Sequence, residues 1–354
     1  MVHLKDISRH DRRKPLWTWA SATATLRARV ITPHNLTSVI PPRRKNKVLH
    51  NIDELPTTKR LLKADIPDML FHYTSAASAI SIINNRQFWA GMPEQMNDSR
   101  EIHQAFRWLS IIAGNTELDS PRNSADQLFG KWVRMQLAAG RAITGKPSFM
   151  ISLSKQGDSL SQWRAYCERS GGICLGLPSD LIQTAAAKQE WLLAPCIYDE
   201  DEVETMVREL FEWHLTKFRE TDKRIGMVSP GDRSHVDATV SRAQKLFDDL
   251  RMYGHFIKNP SFHAEEEWRL LKFDIEPELA DLEFAPGRDG VRTFLPFQIL
   301  EAGTHTDFPT KPRPSLRTGP ATLPGTMTYA TERLLERWVG AGNADVFHTH
   351  SSFR

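Results

Sequence analysis

EEEWRLLKF, Glu265 to Phe273, is the stretch on which the fold turns. Three glutamates in a row suit the first turn of a helix, where carboxylates meet the positive end of the macrodipole. Acidic residues are depleted in strands. Read as a strand, alternation puts Glu265, Glu267 and Arg269 on one face and Glu266, Trp268 and Leu270 on the other. A strand that carries carboxylates on one face needs something that uses them. We carry the segment forward as a strand candidate, with the helix as the alternative.

Two earlier segments repeat the pattern of paired polar groups. LFHYTSAASAISII, Leu70 to Ile83, runs from an apolar start into His72, Tyr73 and Thr74. SFMISLS, Ser148 to Ser154, alternates and ends on Ser152 and Ser154. His72 with Thr74, Ser152 with Ser154, and Glu265 with Glu267 are each spaced by two, so on a strand the members of each pair share a face. Singly, each has a plain structural explanation: a hydrogen-bonded rim histidine, a common strand tripeptide, a helix start. Their joint occurrence in this order points to a ligand cleft.

Around these segments the chain reads as mixed α and β. Asp68 to Thr74 is a short strand, and Ser75 caps a helix that closes near Asn84 and Asn85. Phe88 to Gly91 is a second strand. Helices follow over Ile102 to Ala113 and Ala125 to Ala142, separated by turn residues from Gly114 to Asn123. GDSLSQWRAYC suggests a loop and short helix, Gly171 to Leu177 a strand, and Pro195 to Tyr198 a strand edge. Apolar residues from Val203 to Phe218 have helical spacing, and a further helix covers about Asp237 to Ile257. Phe294 to Leu300 is another strand candidate, Thr304 to Thr326 a long loop, and Tyr329 to Val339 a helix. There is no internal repeat.

The chain has 354 residues, 40% of them hydrophobic, enough for one large domain or two modest ones. No apolar run is long enough to cross a membrane, and the N-terminus lacks a secretory h-region. Cys167, Cys174 and Cys196 fit neither a disulfide framework nor a CxxC metal site, so a reducing, cytoplasmic setting is expected. The net charge of +3 is unevenly spread: residues 1–60 hold 13 Lys and Arg against 4 Asp and Glu, the remainder 33 against 39. The basic head, with Trp17 and Trp19, is expected to be a solvated extension, or else an arm for phosphate or an acidic partner. The expected organisation is a basic extension over 1–60 and a domain over 61–354 with a helical insert at about 202–257, whose simplest role is to extend the core.

Two near-motifs fail. GRAITGKP, Gly140 to Pro147, puts Pro147 where a phosphate loop needs a hydroxyl, and His348 with His350 has no third ligand at matching spacing. Asn97, Asp98, Glu101 and His103 form a conceivable hard-metal cluster, although Asp98 and Glu101 also have capping-box spacing.

HYTS, MNDSRE, SLS before SQWRAYC, GGICLGL, EEEWRLL and the closing SSFR together resemble the bacterial family called domain of unknown function 2971, in order from about Leu70 to Arg354. The proline- and threonine-rich stretch around Thr304 to Thr326 departs from that pattern. The layout in turn looks like that of the NAD-dependent ADP-ribosyltransferases. This resemblance implies an α+β fold with a split or bent mixed sheet, surrounding helices and NAD as substrate. Carried over by position, His72 with Tyr73 and Thr74 would bind the dinucleotide, Ser152 and Ser154 would fill the middle-strand role, and Glu267 would be catalytic. Glu265 would assist as a second catalytic carboxylate, and Arg269 would pair with a carboxylate or meet the pyrophosphate. A first-strand histidine combined with Ser-x-Ser and Glu-x-Glu mixes two branches of that superfamily. The implied function is mono-ADP-ribosyl transfer to a macromolecule, with a lean from the basic arm toward RNA or DNA over protein. An intracellular toxin or phage-defence setting, with an antitoxin or inhibitor protein as partner, belongs to the same resemblance. Two other classes stay open: a non-catalytic nucleotide- or partner-binding module, and a metal-dependent nuclease or hydrolase built on Asn97, Asp98, Glu101 and His103.

Overall fold

Ser75 is where the first strand becomes a helix. Its backbone is extended, and its hydroxyl accepts from the Ser78 amide, satisfying a donor that the first helical turn leaves open. The helix ends at Arg86, whose left-handed φ of 57° turns the chain back into a strand. The computed structural model describes residues 52–95, 101–140, 145–166, 172–225, 233–287, 290–299, 312–320 and 324–350.

In chain order the elements are α1 (Pro56–Leu62), β1 (Met69–Ser75), α2 (Ala76–Asn85), β2 (Gln87–Gly91), α3 (Glu101–Asp119), α4 (Ala125–Ala138), β3 (Phe149–Ser154) and α5 (Leu160–Tyr166). There follow β4 (Gly172–Pro178), α6 (Ser179–Gln189), β5 (Leu192–Pro195), α7 (Glu200–Ile225), α8 (Arg233–Gly254), β6 (Glu267–Lys272), β7 (Glu283–Gly287), β8 (Gly290–Gln298), β9 (Ser315–Thr318), α9 (Pro324–Val339) and β10 (Asp345–His348). The protein is α+β, with a mixed sheet of ten strands ordered β10-β9-β4-β1-β3-β2-β8-β7, while β6 pairs with both β3 and β5. Among the described residues, β9 and β10 are the one pair of strands that runs parallel.

β3 is the branch point. Along one edge it pairs with β6 over its whole length, from Phe149↔Lys272 to Ser154↔Glu267. Its other edge meets two strands, each at a single position: β1 at Phe71↔Ser154 and β2 at Gly91↔Met150. One edge cannot hold two strands side by side, so β1 and β2 take opposite ends of β3 and diverge between them. The sheet is split there, with Ser152 in the gap.

Register also assigns the faces. Opposed residues share a face, so Phe71, Ser154 and Glu267 lie on one side and Ser152 lies with Arg269 on that same side. His72 and Thr74 point the other way, with Leu70, Ile151 and Leu153. That second face is packed under α2, α6 and α9 through Ile82, Ile83, Ile182, Ala186, Leu335 and Trp338. The first face carries two separate apolar clusters. One joins Met150, Ala194 and Leu271 to α3, α4, α7 and α8. The other is small: Tyr73, Trp163 and Cys174, with Phe71 against them. Ser152, Ser154 and Glu267 fall between the two.

Several expectations shift. The fold begins before residue 61: Ile52 and Leu61 are buried in the large cluster, and the Tyr253 hydroxyl donates to Asp53 at 2.8 Å. α3 runs through Gly114 and Asn115 to Asp119, because its apolar stripe packs on α4, where Gly130 lets the Ala113 carbonyl approach too closely for any side chain. β5 precedes the expected strand edge at Pro195–Tyr198. β9 lies inside the stretch read as loop, and α6, β7 and β10 carried no signal that was read. The helical insert extends the core, as expected: Val203, Met206, Leu210, Phe211, Leu246, Phe247 and Leu250 all sit in the large cluster.

Candidate functional site

The split opens into a cavity of about 590 Å³, within the range of ligand pockets. It is lined by His72 and Thr74 from β1, Ser152 and Ser154 from β3, and Glu265 and Glu267 at the start of β6. Tyr73, Gln162 and Tyr166 also line it, as do Trp89, Arg292 and Phe294 on the β2–β8 wing. Residues of opposite parity meet here because the gap between β1 and β2 joins the two faces.

Each side chain is held by identifiable contacts. The His72 ring, half-buried, places Nδ1 3.0 Å from the Ser152 carbonyl oxygen. A carbonyl only accepts, so Nδ1 carries the proton and Nε2 is left as an acceptor. Burial holds the His72 imidazole below its ordinary range, and the bond to Ser152 opposes this less strongly. The ring thus replaces a ladder hydrogen bond that the split removes. Ser154 donates to the Glu265 carbonyl at 2.7 Å and accepts from the Gln156 amide at 2.9 Å, tying the end of β3 to the turn before β6.

That turn corrects the reading of EEEWRLLKF. Glu265 is the last residue of a 3-10 turn, Pro260–Glu265, Glu266 is left-handed with φ 40°, and the strand begins at Glu267. Asn259 caps the turn by accepting from the Ser261 amide at 2.9 Å. Both acids line the cavity, but a turn, not strand alternation, brings Glu265 beside Glu267.

The two carboxylates share buried cations. Lys258, with 1% of its side chain exposed, places Nζ 2.8 Å from a Glu265 oxygen and also bonds Glu267 Oε2. Arg269 Nε donates to Glu267 Oε1 at 2.7 Å, and its Nη1 donates to the carbonyls of His255 and Ile257 at 2.6 and 3.2 Å. Burial pushes the Glu267 carboxyl up, but Arg269 and Lys258 outweigh it and hold the group down at about 2. Glu267 is therefore ionised at every physiological pH. Its backbone amide donates to the Tyr198 hydroxyl at 2.8 Å, which fixes where the strand starts.

Arg269 does not line the cavity; it stands behind Glu267 as its counter-ion. Tyr73 lines the cavity but is anchored: its hydroxyl donates to the Gln156 carbonyl at 2.7 Å and accepts from the Ser159 amide at 2.9 Å, and its ring meets Trp163 edge-on at 4.8 Å. Two residues had escaped the sequence reading. Lys258 follows the insert and had no local signal. Gln162 was legible in principle, since it lies four residues before Tyr166 on one helix face. Of the alternative metal cluster, Asn97 and Asp98 lie outside the described residues, and among the described residues no group of three or more His, Cys, Asp or Glu is placed to hold a metal. No helix among the described residues is long and apolar enough to cross a membrane.

No curated protein and no solved structure matches the chain. The family resemblance expected from Leu70 onward is found over a shorter stretch, α5 through β6. Residues 162–270 match the family model described as a protein of unknown function, DUF2971, so the chain is similar to that family over those residues.

Proposed function

We propose that the chain is an ADP-ribosyltransferase that takes NAD in the cleft at the split and transfers its ADP-ribose to a macromolecule. One observation carries this reading: His72, Ser152, Ser154, Glu265 and Glu267, from three segments far apart in the sequence, line one cavity. Breaking the bond between nicotinamide and ribose develops positive charge at C1′, as in glycoside hydrolysis. A carboxylate already ionised and fixed in place stabilises that charge without reorganising. Glu267 meets both conditions. The C1′–N bond breaks with its electron pair leaving on the nicotinamide nitrogen, and the acceptor's nucleophile bonds to C1′. The proton it gives up passes to Glu265 or to water. His72 Nε2 and the Ser152 hydroxyl are suited to ribose hydroxyls. The basic head favours a nucleic-acid acceptor over protein.

A second reading rests on the same carboxylates. Both are charge-balanced by Lys258 and Arg269, as in a cluster whose task is to hold the turn, which favours a binding module that leaves NAD intact. Incubation with NAD labelled in the adenylate, alongside separate RNA, DNA and protein pools, distinguishes the two. Transfer predicts label in one pool, nicotinamide release, and a loss of about 10²–10³-fold in Glu267→Gln. Full recovery of NAD from the wild type rejects transfer.

A further inference from the structure

Glu266 has the least comfortable backbone at the site. Its left-handed φ of 40° is one that a side chain with a Cβ keeps only where its surroundings hold it there. Glu266 sets Glu265 beside Glu267, so whatever holds it holds the two acids. The loop leaving β3, Lys155 to Ser159, does this. The Lys155 amide donates to the Glu266 carbonyl at 3.0 Å, and the Gln156 carboxamide donates to the Glu266 carboxylate. Lys155 Nζ lies 3.5 Å from the same carboxylate.

That loop is fastened in turn. Gly157 lies so close to the Phe71 ring that a Cβ there would come within 2.7 Å of it. The next residue, Asp158, accepts from Trp163 on α5 and Arg317 on β9, and from the Thr349 hydroxyl and His350 amide in the strap that follows β10. Burial pushes the Asp158 carboxyl up, but the bonds from Thr349, Trp163 and His350 and the charge of Arg317 outweigh it and hold the group below the usual carboxylate range. Hydrogen bonds to an ionised carboxylate are the strong ones, so one side chain gathers a helix, a strand and the strap onto a short loop. The strap is the weakly held party. β10 is an edge strand of four residues, half-buried or exposed throughout, and beyond it Thr349 is half-buried and His350 exposed. Segments of this kind open locally before the core does.

We infer that Thr349 and His350 form a latch on the cavity. Docked on Asp158, they steady the loop, and through it the left-handed turn that presents Glu265 and Glu267; released, they let that turn move. Asp158 does not line the cavity and acts as a positioning residue. Linkage makes the effect reciprocal: a ligand that needs both carboxylates in place favours the docked latch, and release of the latch weakens that ligand. The device operates whether or not the cavity turns over NAD.

Amide hydrogen exchange of the full chain, read residue by residue by NMR, tests the latch without any ligand. Thr349→Val removes one bond to Asp158 at a partly exposed position and should leave the fold intact. It is expected to speed exchange at His350 by about 10-fold, the scale of one hydrogen bond to a charged group. At Lys155, Gln156, Glu266 and Glu267 the expected increase is about 5-fold, the low end of coupling between linked sites. Thr349→Ser, which keeps the hydroxyl, restores the wild-type rates at all of these amides. Asp158→Asn, which keeps the shape and removes the charge, reproduces the effect of Thr349→Val at Glu266 and shifts the indole resonance of Trp163. Arg333→Met, which removes an exposed pair with Glu336 on α9, is a control without effect. Faster exchange confined to Thr349 and His350, no change at any of these amides, or a Thr349→Ser chain that behaves like Thr349→Val overturns the inference. No turnover is read, so that failure leaves the transfer reading standing, and loss of the transfer reading leaves the latch standing.

Discussion

Replacing Lys258 by Met tests the electrostatics of the site independently of any reaction. Lys258 is fully buried, and its ammonium bonds both Glu265 and Glu267. Methionine fills a similar volume, so the change removes charge with little loss of packing. It leaves two buried carboxylates against the one guanidinium of Arg269. Removing one member of a buried ion cluster destabilises by about 3–5 kcal/mol. The Glu267 carboxyl gives an independent scale: held at about 2 against an ordinary 4.5, it contributes roughly 3 kcal/mol at neutral pH. The sign follows from the direction. A depressed carboxyl stabilises the fold above 4.5, and that contribution disappears as pH falls toward 2. Without Lys258, burial has less to oppose it, so the acid limb of the stability profile moves to higher pH. Urea unfolding of the wild type, Lys258→Met and Lys258→Arg, at pH 7 and stepwise down to pH 2.5, measures both quantities. Lys59→Met, which removes an exposed pairing with Glu54, serves as a control with no measurable change expected. The reasoning fails if Lys258→Met loses less than about 1 kcal/mol and its acid limb coincides with that of the wild type.

Three further outcomes are expected. A Cβ at Gly130 would lie 2.7 Å from the Ala113 carbonyl oxygen, so Gly130→Ala should destabilise by about 1–3 kcal/mol. At Gly114 the nearest atom is Arg134 Cδ at 3.8 Å, so Gly114→Ala should instead stabilise by about 0.5–1 kcal/mol; thermal melts of the pair check the contrast. Asp158 accepts from Trp163 Nε1 at 2.8 Å, Arg317 at 3.2 Å, the Thr349 hydroxyl and the His350 amide at 3.0 Å. Asp158→Ala should raise hydrogen exchange at Thr349 and His350, and an unchanged rate there would dismiss its role as a clasp. Nitrogen-15 NMR should find the His72 ring neutral at pH 6.5 with its proton on Nδ1; because its pKa is depressed, its contribution to stability falls as pH drops below 6.5. A ring already charged at pH 6.5 would contradict this.

Local chemistry made much of the framework legible. Ser75 was readable as a cap because a hydroxyl precedes an apolar helical stripe, and the structure places it in that role. The α7 and α8 helices announced themselves by period, since each buries one stripe. Short strands with few contacts to report did not: β7 is half-exposed and β9 and β10 span four residues each, too few for alternation to accumulate. Lys258 was invisible for another reason. Its partners are acids placed by a 3-10 turn and a left-handed residue, and no spacing rule predicts where such a turn delivers its side chains.

The largest gap between sequence and site concerns the face on which residues lie. Spacing by two shows that His72 and Thr74 share a face, and that Ser152 and Ser154 do. It is silent on whether the two pairs share one, because that depends on register. The register puts them on opposite faces. In an unbroken sheet they would be separated by the backbone itself. They meet at one cavity only because β1 and β2 compete for the same edge of β3 and part. That parting strands the Ser152 carbonyl, and an unpaired carbonyl in a half-buried gap is unfavourable. The His72 imidazole fills the vacancy from the opposite face. The same ring thus closes the defect that creates the cleft and offers the cleft its remaining nitrogen. A substitution at His72 should therefore disturb the split and the cavity wall together.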